Sequence, residues 1–476
     1  LHLNVYTSNK CRESNSTCHV VFVIHGGVGI FDAPMKFPDE TLVRNFVSQD
    51  IVVVSTAYRL GMFGAIGLGD ENVVPANLNM HDILAALNFT HSEIRNFGGD
   101  KNKITILGQS EGAHFALMIA FSPGISTPGE KRRINGVISM SGPSGLETQE
   151  QTVQRSHAVA TELGCSGTAR EIMDCLRLLD TETIFEAAFQ VHGTDILSGK
   201  TPIGITMAGE LFPITNDREM RESKDPIRLM IGTTLYEMVG ESGKDKINRV
   251  LGVTNKKECY EKYVNDTGSG AFVPGYNDAS QEFLVTSHIF AKYQAQIGGE
   301  AYLYEYGYPV HGAHTDDAYF VLGFHQFEMD ENEKWLSRVY PRYFTRFIKG
   351  EKPTDDWSPV KPLLMNYYSV NRSIADDVYP HTKFGYQNYI VKYYEELVKC
   401  DNELSLTILL AFNAPVEYKS MNTTGDFQVL FQSFTAVDAI VVSLFALGAL
   451  FLLCCFSKCF IRICCCCYKQ KNDYER

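Results

Sequence analysis

The chain has 476 residues, 45% of them hydrophobic and 21% charged, which is typical of a folded globular protein with a large core. Its 43 basic residues are outnumbered by 56 acidic ones, which gives a formal net charge of −13 at pH 7. This balance excludes nucleic acid as an expected partner, because phosphate binding needs a basic face.

Short apolar segments alternate with helix-like ones through the body of the chain. The sequence opens on LHLNVYT, which reads as a strand already inside a domain with no signal peptide before it, so we expect the N-terminal part of the domain to be missing. Further strands, rich in β-branched residues, are predicted at 20–24, 51–55, 104–107, 137–140 and 229–231. A helical pattern at 82–96 lies among them, and the alternation predicts a mostly parallel sheet flanked by helices.

A serine between two glycines follows one of these strands. The strand at 104–107 leads into Gly108, Gln109, Ser110, Glu111 and Gly112, and the helical run AHFALMIAF comes next. This is the context of a nucleophile elbow, where glycines leave room for a strained turn and the helix N-terminus favours negative charge. The five letters alone are a weak signal, but the flanking strand and helix make it specific. Ser110 is therefore the predicted nucleophile.

A glycine-rich loop lies upstream, at the end of the strand at 20–24. The apolar run VVFVI ends in His25, Gly26, Gly27, Val28 and Gly29. Successive backbone N–H groups in such a loop can point at one acceptor, as an oxyanion hole requires. A plain turn is the alternative for this loop by itself, and the nucleophile elbow downstream favours the oxyanion hole.

A serine hydroxyl needs a general base and an orienting acid, which follow the serine in the order acid and then histidine in this kind of fold. Two segments fit this order. The strand at 229–231 leads into the loop GTTLYE, which ends in Glu237, and the segment GAHTDDAYFVLG carries His314 before an apolar stretch. Spacing alone does not select these two among 13 histidines and 56 acidic residues.

The motifs, taken in order, resemble those of the type-B carboxylesterases and cholinesterases. LHLNVYT is similar to LYLNVYTP of that family, HGGVG to HGGGF, AYRLGMFG to NYRLGxxGF, and FGGD to FGGDP. GQSEG is similar to GESAG, GTTLYE to GxxxDEG, and GAHTDDAYFVLG to GxxHxxDLxYxFG. The resemblance covers nearly the whole body of the chain and implies an α/β-hydrolase fold with no cofactor and no metal.

Carried over residue by residue, the resemblance assigns the roles that spacing leaves open. Ser110 becomes the nucleophile, His314 the base and Glu237 the acid. The N–H groups of Gly26 or Gly27, Val28 and Glu111 become the oxyanion hole. Cys165 and Cys175 resemble the cysteines of the family's small disulfide loop, and Ser141 matches the serine of its QSG motif.

The sequence departs from the family pattern at three places. Val28 stands where the third oxyanion glycine is expected, and Glu111 stands where the alanine after the nucleophile is expected. The family segment that in cholinesterases supplies the tryptophan that holds a quaternary ammonium is expected to precede residue 1. The sequence therefore leaves cholinesterase activity open, as well as the effect of Val28 and Glu111 on catalysis.

Cysteines and sequons indicate an oxidising compartment for the body of the chain. Six cysteines are spread through it, namely Cys11, Cys18, Cys165, Cys175, Cys259 and Cys400. An even number of sparse cysteines is compatible with disulfides outside the cytosol. Sequons that predict N-glycosylation stand at Asn15, Asn265, Asn371 and Asn422.

The C-terminal part predicts a membrane anchor. An 18-residue run at 439–456 contains one polar residue, Ser443, and would span about 27 Å as a helix, close to the hydrocarbon thickness of a bilayer. Basic residues follow this run and acidic ones precede it, so the positive-inside rule places the tail in the cytoplasm and the body outside or in a lumen. Seven cysteines from Cys454 to Cys467 are then predicted sites of S-acylation.

The predicted organisation is a hydrolase domain at 1–400, a stalk at 401–433, a transmembrane helix at 434–457 and a cytoplasmic, cysteine-rich basic tail at 458–476. The protein would be a single-pass type I membrane protein, and the choice between the cell surface and an internal organelle stays open. The sequence carries no signal for or against a homo-oligomer.

Three functions fit these observations. The first is a serine hydrolase that acts on a small acyl ester through an acyl-enzyme. The second is an acyltransferase that passes the same acyl group to a small alcohol or amine. The third is a non-catalytic adhesion protein of the same family, a branch in which the catalytic serine is commonly lost. The sequence identifies no physiological substrate.

Overall fold

The computed structural model describes residues 1–13, 17–122, 124–125, 134–143, 146–192, 204–214, 226–238, 278–388 and 390–393. The chain divides into a unit at Leu1–Leu409 and a second unit at Leu410–Arg476, and the second lies outside the described residues. The predicted stalk, membrane span and tail lie outside them as well. Within the described part, no helix combines the length and apolar character needed to cross a bilayer.

The main sheet has nine strands among the described residues, in the order β1-β3-β2-β4-β5-β8-β9-β10-β11. Its central strands, from β3 through β10, run parallel, while β1 and β11 pair antiparallel at the two edges. A small second sheet pairs β6 with β7. The strands are β1 (Leu3–Tyr6), β2 (Cys18–Ile24), β3 (Ile51–Thr56), β4 (Gly99–Gln109), β5 (Gly136–Met140), β6 (Glu147–Thr148), β7 (Thr206–Met207), β8 (Arg228–Thr234), β9 (Glu300–Tyr306), β10 (Tyr367–Val370) and β11 (His381–Lys383).

Helices cover both faces of this sheet. Those of the described residues are α1 (Asn9–Glu13), α2 (Asp39–Asn45), α3 (Gly61–Ala65), α4 (Leu78–Glu93), α5 (Glu111–Phe121), α6 (Gln149–Glu162), α7 (Ala169–Leu176), α8 (Thr181–His192), α9 (Asp278–Gln296), α10 (Asp316–Leu322) and α11 (Glu331–Ile348). The predicted parallel sheet flanked by helices is confirmed, and all five strands predicted after the opening segment are present.

The core lies in two layers, one on each face of the sheet. In β2, Val20, Phe22 and Ile24 face one layer and Val21 and Val23 face the other. Successive side chains of a strand point to opposite faces, so a strand buried on both sides needs a continuous apolar run. This explains why VVFVI shows no polar alternation.

The bounds of one predicted helix differ from those in the structure. The helix predicted at 82–96 is α4, which begins at Leu78 and ends at Glu93. Asp82 lies inside it and is buried, and its carboxylate accepts hydrogen bonds from the Arg59 guanidinium, at 2.7 Å to both Nε and Nη2. Because this ion pair satisfies the buried carboxylate, the helix can start a turn before the acidic residue.

Two disulfides are present among the described residues. Cys165 and Cys175, the predicted pair, are joined, which ties the segment after α6 to the end of α7. Cys11 and Cys18 are also joined, which ties the middle of α1 to the start of β2. The sequence marked these two cysteines as disulfide candidates without pairing them. Cys259 and Cys400 lie outside the described residues.

Candidate active site

Ser110 stands between the end of β4 and the start of α5, with a backbone φ of 55°. A φ in the left-handed region is strained for a residue with a side chain, and such strain is typical of functional turns. The flanking glycines make the turn sterically feasible. A Cβ on Gly108 would lie 2.0 Å from the carbonyl oxygen of Gly112, and one on Gly112 would lie 2.2 Å from that of Ile24.

Ser110, His314 and Glu237 meet in one chain of hydrogen bonds. Nε2 of His314 lies 2.8 Å from Oγ of Ser110, and Nδ1 of His314 lies 2.5 Å from Oε2 of Glu237. Because a carboxylate can only accept, Nδ1 carries the proton and Nε2 is left to accept from the serine hydroxyl. These are the contacts that a nucleophile, a general base and an orienting acid require.

The neighbouring loops hold the acid and the base in place. Glu237 follows β8 and is buried, and its second oxygen accepts the N–H of Thr234 at 2.8 Å. His314 follows β9, and its own N–H donates to the carbonyl of Glu237 at 2.9 Å. The ring of Phe283 packs beside the imidazole of His314, with the two ring centroids 5.0 Å apart. The two strands are neighbours in the sheet, which brings the loops together.

The glycine-rich loop lies directly over Ser110. A Cβ on Gly26 would fall 2.9 Å from Cβ of Ser110, so only glycine fits there. Gly27 has a φ of 94° and Val28 one of 56°. Among the described residues, the N–H groups of Gly26, Gly27 and Val28 donate no backbone hydrogen bond. They are therefore available to an oxyanion beside Ser110.

The loop is anchored at its first residue. The ring of His25 stacks on Tyr58 with centroids 4.4 Å apart, and the Tyr58 hydroxyl donates to the carbonyl of His25 at 2.8 Å. Burial lowers the pKa of His25. A neutral, stacked imidazole therefore holds this end of the loop.

Glu111 begins α5, so its backbone N–H lies at the helix N-terminus beside Ser110. Its carboxylate turns along the helix, where Oε1 lies 3.2 Å from Nδ1 of His114. Both side chains are largely buried, and the other ring nitrogen of His114 has no hydrogen-bond partner among the described residues. No motif in the sequence indicates this pair.

Asp317 is a second buried acid near Glu237 that sequence reasoning missed. Its side chain is fully buried, and Oδ2 accepts from the Tyr340 hydroxyl at 2.9 Å. Burial, with the negative charge of Glu237 as a smaller cause, raises the pKa of Asp317 to about 7. The only signal was a pair of acids just before an apolar run, which is also what an ordinary helix start looks like.

The remaining predicted positions carry less information. Ser141 is buried with a φ of 51°, and its N–H donates to the carbonyl of Gly232 at 2.8 Å. Asn371 is partly exposed, and its side-chain oxygen accepts the N–H of Arg372 at 2.7 Å. The sequons at 15, 265 and 422 lie outside the described residues. Where the chain is described, no group of three or more histidine, cysteine or acidic side chains could hold a metal.

The fold is that of an α/β-hydrolase, and the hydrogen-bonded serine, histidine and glutamate lie at the carboxyl ends of its strands. Residues 1–387 match the carboxylesterase family, and the chain belongs to that family. It is a carboxylesterase-type hydrolase.

Individual relatives agree with this assignment. The chain is 27% identical over 412 residues to the acylcarnitine hydrolase of Rattus norvegicus, an alignment that covers 76% of this chain and 69% of that protein. It is 32% identical over 234 residues to a carboxylic ester hydrolase of Bombus ignitus, covering 45% and 40% of the two chains. The juvenile hormone esterase structure from Manduca sexta superposes with a TM-score of 0.66 at 18% identity over 84% of each chain, which shows a shared fold.

Proposed function

We propose that the protein hydrolyses carboxylic esters through an acyl-enzyme formed on Ser110. The observation that carries the proposal is the hydrogen-bonded chain from Ser110 through His314 to Glu237, built on a strained turn under a loop with available N–H groups. Family membership supports the same reaction class. The substrates of the relatives do not identify the substrate of this chain.

The geometry suggests the order of events. His314 Nε2 accepts the Ser110 proton as Oγ attacks the ester carbonyl, and Glu237 stabilises the imidazolium that forms. N–H groups of Gly27, Val28 and Glu111 would hold the oxyanion. The imidazolium then protonates the leaving alcohol as the carbon–oxygen bond breaks. In the second half of the reaction, His314 accepts a proton from a water molecule whose oxygen attacks the carbonyl carbon of the acyl-enzyme. The bond from that carbon to Oγ of Ser110 then breaks, the imidazolium returns the proton to Oγ, and the carboxylic acid leaves.

A phosphonate-labelling experiment tests this function. The full-length protein should be labelled by a fluorophosphonate and should hydrolyse short-chain aryl esters, and Ser110→Ala should abolish both. Ser337, a partly exposed serine on α11, provides a matched control, because Ser337→Ala leaves the elbow untouched. A wild type that neither takes the label nor cleaves the ester would instead support the adhesion function.

An acyltransferase would form the same acyl-enzyme as a hydrolase. The two reactions differ only in the molecule that receives the acyl group, which is water in hydrolysis and an alcohol or amine in acyl transfer. Adding a small alcohol or amine to the ester reaction separates the two activities, because a transferase converts most of the acyl group into the new ester or amide. Free acid as the main product at millimolar acceptor supports hydrolysis.

We also propose, from the sequence, that the segment at 434–457 anchors the protein in a bilayer with the tail at 458–476 in the cytoplasm. Protease added to sealed cells, which expose only the outer face of the membrane, should then leave a C-terminal epitope protected. Replacing the cysteines from Cys454 to Cys467 should remove any palmitate label without changing esterase activity in detergent. An epitope cleaved in sealed cells would reverse this orientation.

A further inference from the structure

A group of polar residues outside the triad joins the oxyanion loop to the segment that follows the catalytic histidine. We propose that Asp32, Lys36 and His325 form a clamp that positions the oxyanion donors of Gly27 and Val28 relative to His314. This inference rests on the proposed function, because it concerns the placement of groups used in ester hydrolysis. We refer to these three residues as the clamp.

The first part of the clamp is attached to the oxyanion loop. The carbonyl of Gly27 accepts the N–H groups of Ile30 and Phe31 at 2.9 and 3.1 Å, so the chain folds back on itself just after the loop. A Cβ on Gly27 would lie 3.0 Å from Cβ of Asp32. Asp32 therefore lies close to Gly27 and is joined to it through the turn that these two hydrogen bonds close.

Lys36 connects the two segments. Its ammonium donates to both carboxylate oxygens of Asp32 at 2.8 Å and approaches Nε2 of His325 at 3.0 Å. These three acceptors use the three donors of a lysine ammonium. Nε2 of His325 accepts only when that imidazole is neutral, and burial, with Lys36 as the next cause, lowers the pKa of His325. The Lys36 ammonium also lies 5.1 Å from the centre of the Phe324 ring.

His325 belongs to the segment that starts at the catalytic histidine. That segment continues through α10, whose first residue, Asp316, accepts the N–H of Ala313 at 2.8 Å and so fixes the turn that carries His314. From α2, the Asn45 side chain donates to two carbonyls at the end of α10 at 2.8 Å. The two segments are thus already docked, and the clamp adds a polar connection at the end nearest the oxyanion loop.

The backbone at the clamp takes an uncommon conformation. Asp32 has a φ of 79° and His325 one of 55°, both in the left-handed region, which few residues other than glycine adopt although aspartate and histidine do so more often than most. Such conformations persist where the surroundings over-determine them, and they cluster at functional sites. The side chains of Lys36 and Asp32 are 27% and 18% exposed, and partly exposed ion pairs of this kind contribute little to stability. A role in geometry therefore accounts for the clamp better than a role in stability.

The experiment compares Lys36→Met and His325→Leu in the full-length protein, using an aryl ester and an organophosphonate. Loss of one oxyanion donor lowers kcat by roughly 100- to 1000-fold, so a donor displaced but not removed should lower kcat by about 10-fold. We expect that loss in both variants with KM unchanged, and an equal loss in the rate of phosphonylation. The double variant should be no slower than either single one, since both break the same connection.

Conservative variants separate geometry from charge and from folding. His325→Gln retains an acceptor for Lys36 and should keep activity near that of the wild type, while His325→Leu leaves the charge of Lys36 in place. Lys10→Met is the matched control, because it breaks another surface lysine–aspartate pair, the one that joins Lys10 on α1 to Asp50 just before β3. Thermal unfolding should change little in any of these variants.

The outcomes distinguish the clamp from the proposed function. An active wild type with kcat unchanged in Lys36→Met and His325→Leu overturns the clamp and leaves the hydrolase in place. A loss confined to KM, or an equal loss in Lys10→Met, also overturns it. A wild type inert to both reagents overturns the proposed function, and the clamp with it.

Discussion

Replacing Asp317 with asparagine tests whether the buried carboxyl next to Glu237 is protonated below neutral pH. Asp317 is fully buried, and one of its oxygens has no hydrogen-bond partner among the described residues. Burial raises its pKa to about 7 from an ordinary value of 3.8, and Glu237 adds to the effect. A carboxyl with these two pKa values in the folded and unfolded states lowers the free energy of unfolding by roughly 4 kcal/mol at pH 8.

The sign of the effect follows from proton binding. Between about pH 4 and pH 7, the folded protein holds a proton on Asp317 that the unfolded chain has lost, so stability falls as pH rises through this window. Above about pH 7 both states are ionised and the loss is complete. The asparagine that replaces Asp317 would not ionise, and its amide oxygen can still accept from Tyr340. A buried, unpaired amide N–H nevertheless costs about 1–3 kcal/mol at every pH.

We therefore expect the stability of Asp317→Asn relative to the wild type to rise by roughly 4 kcal/mol between about pH 4 and pH 8. The measurement is denaturant or thermal unfolding of both proteins across that range. Asp174→Asn, at an exposed site on α7, controls for loss of one negative charge. Parallel pH profiles for wild type and Asp317→Asn would refute the reasoning.

Three further predictions concern residues beside the site or in the frame. Val28→Gly should raise the unfolding temperature slightly and leave kcat no lower, because valine at a φ of 56° carries about 1–2 kcal/mol of strain. A lower unfolding temperature together with a lower kcat would contradict this prediction. Glu111→Gln should raise kcat several-fold at constant KM in steady-state ester assays, because it removes a carboxylate near the oxyanion and retains a partner for His114. An unchanged kcat would show that the charge of Glu111 does not affect the oxyanion. Replacing Cys11 and Cys18 with serine should lower stability by about 2–3 kcal/mol in unfolding under oxidising conditions. The difference from the wild type should vanish under reducing conditions, where neither protein has this disulfide, and a difference that persists there would contradict the prediction.

Features that depend on neighbouring residues could be predicted from the amino-acid order. The strand runs at 20–24 and 104–107 were predictable because a strand buried on both faces needs continuous apolar residues. The elbow at Ser110 was predictable because only glycine fits where Gly108 and Gly112 approach other backbone atoms. The family resemblance, which follows from such local motifs, supplied Glu237 and His314.

Features that join distant parts of the chain required the folded structure. His314 meets Ser110 across 204 residues and Glu237 across 77, because β4, β8 and β9 run parallel in one sheet and end on the same side. Lys36 reaches His325 across 289 residues for a similar reason, since α2 and α10 pack on one face. Burial of Asp317 depends on helices that the sequence could not place. Periodicity determines which face of a strand or helix is apolar, but the partner of that face is set by the order of the strands.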